Sequence, residues 1–282
     1  MTKLFVDNLT VIDFSYLHPE RGLLGESWLL DVMLGGTLDS QGMVLDFSEV
    51  KRQVKRLVDE EFDHKLLIPL RYDGAEVDRD DAYCAVHYRC RTGRNIYHRG
   101  PASASSVLDT DEITPESVAA AIERRLQPGL PKNVFQIKIK LHAEQCDGYF
   151  YHVSHGLKHH AGNCQRIAHG HRSRIDIFED GSRAAKAEAA WAARWRDIYI
   201  GTQADLLEER QRNEEAYYRF GYCSGQGEFE LELPKACCYL IESDSTAENL
   251  AQHIAERLKS EKPLARFEVR AYEGVGKGAI AT

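Results

Sequence analysis

An internal repeat constrains this 282-residue chain more than any other feature. The stretch Leu24-Gly-Glu-Ser-Trp-Leu-Leu-Asp31 lines up with His169-Gly-His-Arg-Ser-Arg-Ile-Asp176 at an offset of 145, and Gly36 and Gly181 close both stretches at that same offset. Further on the offset becomes 132 and stays there. It pairs Gly93 with Gly225 at hairpin turns, Thr114 with Thr246 at helix starts, and Phe135 with Phe267 in final strands. Preserved spacing over several landmarks is the mark of one supersecondary unit made twice.

Each copy reads as strand, strand, helix, hairpin, helix, strand. Val50, Val54, Leu57 and Val58 form a helical apolar stripe in the first copy. A second helix opens with Thr114 as N-cap and Pro115 at the first helical position, and Val118, Ile122 and Leu126 give its buried face. Thr246 repeats that start, with Leu250, Ile254 and Leu258 turned inward. The final strands, residues 134–140 and 266–272, alternate as half-buried antiparallel strands do. The expected fold is α+β: two tandem units, residues 1–144 and 145–282, each a four-stranded antiparallel sheet with helices on one face, joined near 144–148. One segment breaks the repeat. Residues 184–195 are Ala-rich and helix-prone, and the polar run 205–218 after them is expected to be a helical cap or a subunit contact.

Seven of the twelve histidines fall between His142 and His171. His169 and His171 are two apart at the head of a strand-like run, Arg172 to Phe178. Side chains two apart on a strand share a face about 7 Å apart, within the span of one metal ion. His155 can supply a third nitrogen, with His159 or His160 as alternatives. Three imidazoles with an open fourth position form the pattern of a catalytic zinc site. The duller reading is a solvated histidine-rich loop.

Composition narrows the partners. The net charge of −8 argues against general nucleic-acid binding. No apolar run reaches the length of a membrane helix, and the N-terminus lacks signal-peptide character. The seven cysteines include no Cys-x-x-Cys pair, which fits reduced thiols and a cytoplasmic location.

Taken together, these residues resemble the 6-pyruvoyl-tetrahydropterin synthase and 6-carboxytetrahydropterin synthase family, which has the tunnelling fold (T-fold). That family binds zinc through one histidine on a first strand and an H-G-H pair on the second, with a proton-transferring cysteine shortly before the pair. His155, Cys164, His169 and His171 match in order. The family's G-M-V-x-D-F segment is matched by Gly42-Met-Val-Leu-Asp-Phe47, and its Asp-His pair by Asp63 and His64. Its P-T-x-E-N helix start is echoed by Thr246-Ala-Glu-Asn249, and its pterin-holding glutamate by Glu273.

Neither copy is complete. In the first, the metal positions align with Ser15, Leu24 and Glu26, and the position of Glu273 with Leu141. The second copy shows no Asp-His pair. The resemblance therefore implies two specialised copies, one holding zinc and pterin, the other lending Asp63 and His64. It further implies a lyase acting on 7,8-dihydroneopterin triphosphate, with loss of triphosphate. The product leans towards 6-carboxytetrahydropterin, the step that feeds queuosine synthesis. Cys164, Asp63 and His64 would be catalytic, and Glu273, Thr246 and Glu248 would bind substrate. Lys158, Arg166 and Arg172 are candidate triphosphate cations. The family's habit of building sites between units implies a homo-oligomer. The competing reading is a catalytically silent protein that binds zinc and pterin.

Overall fold

A computed structural model describes residues 1–212 and 214–282. The first half runs β1 (Thr2–His18), β2 (Gly22–Gly36), α1 (Phe47–Glu61), β3 (Leu66–Pro69), β4 (Ala75–Arg79), β5 (Tyr83–Arg89), β6 (Asn95–Pro101), β7 (Ser105–Leu108), α2 (Pro115–Leu126) and β8 (Val134–Ala143). The second half repeats that order. It runs β9 (Tyr149–His155), β10 (His169–Glu179), β11 (Ser182–Arg183), α3 (Ala185–Arg194), β12 (Ile198–Thr202), β13 (Leu206–Arg212), β14 (Glu215–Ser224), β15 (Gly227–Pro234), β16 (Cys238–Ile241), α4 (Ala247–Glu261), β17 (Phe267–Tyr272) and β18 (Gly278–Ala281). The small β11 and the terminal β18 are additions to the repeat.

The fold is α+β and tandem, as expected, with wider sheets than four antiparallel strands. The first sheet has the order β7-β3-β1-β2-β8, the second β16-β12-β9-β10-β17-β18. The β1–β2 and β2–β8 ladders are antiparallel, whereas β3 and β7 join in parallel. Runs as short as Leu66-Leu-Ile-Pro69 carry no readable periodicity, so these short parallel strands are hidden in the sequence.

Local chemistry explains the helices. Asp46 caps α1 by accepting from the Ser48 amide at 2.8 Å, and Val50, Val54 and Val58 are buried against the first sheet. Thr114 and Ser117 form a reciprocal capping box at the start of α2, with Pro115 in its first turn. Thr246 accepts from the Asn249 amide at the start of α4, whose Leu250, Ile254 and Leu258 enter the second core. Each fully buried Val, Leu or Ile contributes about 1.5–3 kcal/mol. The Ala-rich segment is α3, the shorter counterpart of α1.

A third sheet zips the halves together. Its order is β13-β14-β15-β6-β5-β4, and β15 meets β6 with Leu231 opposite His98. The polar run 205–218 is thus not a helical cap. Among the described residues it supplies β13 and the first four residues of β14. β13 is exposed along nearly all its length, so no apolar alternation betrays it.

Strand register corrects two alignments. In the parallel ladders Ser15 faces Leu66, and Ser154 faces Tyr199, which makes the two serines counterparts. They meet across the interface with their hydroxyls 2.8 Å apart. His155 therefore corresponds to Tyr16, not Ser15. Likewise Leu141 opposes Leu30 while Ala271 opposes Ile175, so Glu273 corresponds to Ala143 rather than Leu141. Gly25 and Gly170 are the points of closest approach. A Cβ on Gly170 would lie 2.6 Å from the Gly25 Cα, and one on Gly25 would collide with the Val153 carbonyl.

Candidate active site

His155 ends β9 and directly opposes His169 at the start of β10, with His171 two residues on. All three are buried, and one ligand atom from each lies within 4.8 Å of the others. Their orientation is fixed from behind. His155 Nδ1 lies 3.1 Å from the Ser245 carbonyl oxygen and 2.9 Å from its hydroxyl. His169 Nδ1 lies 3.0 Å from the Arg166 carbonyl oxygen. Among the described residues, that leaves Nε2 of all three, and Nδ1 of His171, buried without a hydrogen-bond partner, an arrangement too costly to be idle.

The donor set fits a divalent ion such as zinc, which takes neutral imidazole nitrogens. Burial, aided by repulsion from His171, pushes His155 down to about 3, and burial carries His169 well below its ordinary value. Both are neutral at physiological pH. His159 and His160 stay in the exposed connecting loop, where His159 faces Asp244 and His160 accepts from the Gly162 amide. Among the described residues they are not part of the cluster.

The first half reaches the same place. The His64 ring stacks on His169 with centroids 5.4 Å apart and lies 6.2 Å from His171. His64 has a left-handed backbone with φ 54°. Backbone and side-chain bonds hold it there. Its amide donates to the Asp13 carbonyl at 2.6 Å, and its Nδ1 is 2.5 Å from Asp63 Oδ2. The other Asp63 oxygen accepts from the Asp13 amide at 2.9 Å. Burial disfavours a charged His64, yet hydrogen bonds and charge from Asp63 and Cys164 outweigh it and push His64 up to about 10. Cys164 sits half-buried in the short turn before Ile167.

Arg166 ties the halves. It is buried, and its Nη1 donates to the carbonyls of Asp63 and His64 at 3.3 and 3.2 Å. It is thus a clamp rather than a free cation for triphosphate. Lys158 is 3.5 Å from Asp205, and Arg172 lies 3.7 Å over the Phe150 ring, so neither faces the histidines. Glu273 Oε1 is 4.0 Å from His171 Nε2, at the rim of the cluster. Thr246 caps α4 beside Ser245, and Glu248 is exposed in the first turn of that helix, in a groove with Gln252 and Lys259.

Several participants escape sequence reasoning. Buried Asp13 places Oδ1 3.3 Å from His171 Nδ1 and 2.5 Å from the Ser27 hydroxyl, and Lys277 Nζ lies 3.2 Å from Oδ2. The one available signal is a charge between Ile12 and Phe14 in an otherwise apolar strand run.

The family described as 6-pyruvoyl tetrahydropterin synthase matches the chain twice, over residues 11–152 and 147–282. The chain belongs to this family. It is 24% identical over 140 residues to a putative 6-carboxy-5,6,7,8-tetrahydropterin synthase of Pyrococcus abyssi, covering 50% of this chain and 80% of that one. It is 28% identical over 123 residues to the 6-carboxy-5,6,7,8-tetrahydropterin synthase of Rickettsia conorii, covering 43% and 75%. The 6-pyruvoyl tetrahydropterin synthase of Plasmodium vivax superposes with a TM-score of 0.41 at 16% identity, covering 50% of this chain and 90% of that one. The protein is a tetrahydropterin-synthase-type enzyme with a buried three-histidine group able to hold a metal.

The tetrahydropterin-synthase half-site that should mirror this one is closed. Tyr16, Leu24 and Glu26 occupy the three metal positions. Asp197, with φ 56°, stands where His64 does in the first half, and Arg21 grips its carboxylate at 2.9 and 2.5 Å. Burial pushes Glu26 up to about 7.

Proposed function

We propose that this chain is a zinc-dependent synthase acting on 7,8-dihydroneopterin triphosphate, eliminating triphosphate and yielding 6-carboxytetrahydropterin. Residues 145–282 form the unit that carries zinc and pterin. Residues 1–144 form a degenerate unit that lends Asp63 and His64. The observation that carries the reading is the stacking of His64, from the first half, on the zinc-type histidines of the second.

His155, His169 and His171 would hold the ion through their partnerless Nε2 atoms. When bound, zinc supplies Lewis-acid polarisation of substrate oxygens. Cys164 accepts a proton from the substrate side chain as a thiolate. The neighbouring imidazolium, a charged His64, favours that thiolate. Asp63 fixes the His64 ring so that its far nitrogen exchanges protons with the sulfur or the product. The two oxygens of Glu273 accept the paired N–H donors of the pterin amino-pyrimidine edge. Thr246, beside Ser245, is assigned to the outer rim of the substrate pocket, whereas Glu248 faces a separate groove with Gln252 and Lys259. Lys277, beside Glu273 in the terminal turn and paired with Asp13, takes the place of Lys158, Arg166 and Arg172 as the candidate cation for the anionic tail. The working form is a cytoplasmic homo-oligomer, since the outer strands β8 and β18 present unpaired edges to a second copy.

Triphosphate release by the purified protein, measured with and without chelator, tests the reading. Release is expected, should vanish on chelation and should return with zinc. Cys164→Ala should lower turnover by about 10²–10⁴-fold with metal content unchanged. Zinc and pterin binding without any release would instead establish the silent binder.

A further inference from the structure

Two of the three histidines are steered by main-chain atoms of their own half, but His171 is not. Its Nδ1 has one polar neighbour within ion-pair distance on its inner side, Asp13 Oδ1 at 3.3 Å. Asp13 belongs to β1, in the half that has no metal ligands. Two groups settle this carboxylate, one from each half. The Ser27 hydroxyl of β2 donates to Oδ1 at 2.5 Å, and Lys277 Nζ lies 3.2 Å from Oδ2. Asp13 has only 4% of its surface exposed, which rules out bulk water as its partner. A buried carboxylate fixed on both oxygens is a rigid acceptor.

The consequence follows from imidazole chemistry. A neutral ring carries one proton, and an acceptor at Nδ1 draws it there, freeing the Nε2 lone pair for a cation. An Asp13-bound Nδ1–H would also make His171 a more basic ligand. We propose that Asp13 is a positioning residue for the metal centre, supplied by the first half, which selects the metal-binding tautomer of His171. Ser27 is its support. The degenerate half then does more than lend a proton pair: it completes the outer coordination shell across the β1–β10 contact. The same contact explains why a glycine stands at both Gly25 and Gly170. Any larger side chain would push β1 and β2 away from β10 and draw Asp13 off His171.

The proposal rests on the metal reading above, and its test separates the two. The full-length protein is stripped of metal and titrated with zinc against a chromophoric chelator, and its cobalt form is examined by visible absorption. Asp13→Asn keeps the shape but offers a donor or a weaker acceptor to Nδ1. It should weaken zinc binding roughly 10–100-fold and shift the cobalt bands, with circular dichroism unchanged. Ser27→Ala should move both readings in the same direction by less. Zinc affinity within threefold of wild type and an unaltered cobalt spectrum in Asp13→Asn overturn the positioning role. Should that variant not fold, an unchanged affinity in Ser27→Ala overturns it instead. A wild-type protein that takes up neither zinc nor cobalt overturns the metal reading itself, and this role with it.

Discussion

His98 shows how one residue's surroundings set a property of the whole chain. It lies on β6 opposite Leu231, almost fully buried, and its Nδ1 has no partner among the described residues. Burial pushes it down to about 4 from its ordinary 6.5. Between those values the unfolded chain binds a proton that the folded chain refuses. Stability therefore rises with pH from about 4 to 6.5 and is lost on acidification, by up to about 3 kcal/mol from this group. Melting curves from pH 5 to 7 should show that slope, and His98→Leu should flatten it. A variant whose curve runs parallel to wild type removes His98 as the cause. The clustered histidines carry a different lesson. The sequence named His169 and His171 from spacing, because a β-strand's period of two puts alternate residues on one face, whereas His155 had His159 and His160 as alternatives until the family resemblance matched it. It could not name Ser245, Arg166 or Asp13 as the groups that orient them, because those lie in other elements.

At the scale of elements, caps and close approaches separate cleanly in their effects. Thr114 and Ser117 satisfy amides at the head of α2, far from the histidines in the chain and packed into the first core. Thr114→Ala should cost about 1 kcal/mol in urea unfolding and leave metal affinity unchanged. Gly25→Ala acts where β2 meets the second half, since the new Cβ would run into the Val153 carbonyl and lie 2.5 Å from the His171 amide. It should cost about 1–3 kcal/mol and weaken metal binding as well. Equal metal affinity in both variants would show that the glycine contact does not govern the site. The helices were legible from capping residues and apolar stripes, which are local signals. The third sheet was not, because β13 is exposed and polar beyond Leu207, and the sheet is closed by β15 pairing with β6 of the other half.

For the whole molecule, the decisive fact is that both halves of the site come from one chain. Asp63 and His64 reach the histidines through β1, held by Arg166 and by the shared sheet. Co-expressed His64→Ala and His155→Ala chains should therefore fail to complement each other, with turnover no higher than either variant alone. Recovery of a substantial fraction of wild-type turnover would mean that a neighbouring chain supplies the pair. The sequence by itself determined the repeat, from landmarks at a constant offset, and the candidate pair His169 and His171, from residue type at a strand's period of two. Only tertiary structure decided which copies face one another, that Tyr16 rather than Ser15 answers His155, and that Asp13 stands behind His171. Those facts depend on strand register and on contacts between residues far apart in sequence, where spacing along the chain carries no information about distance in space.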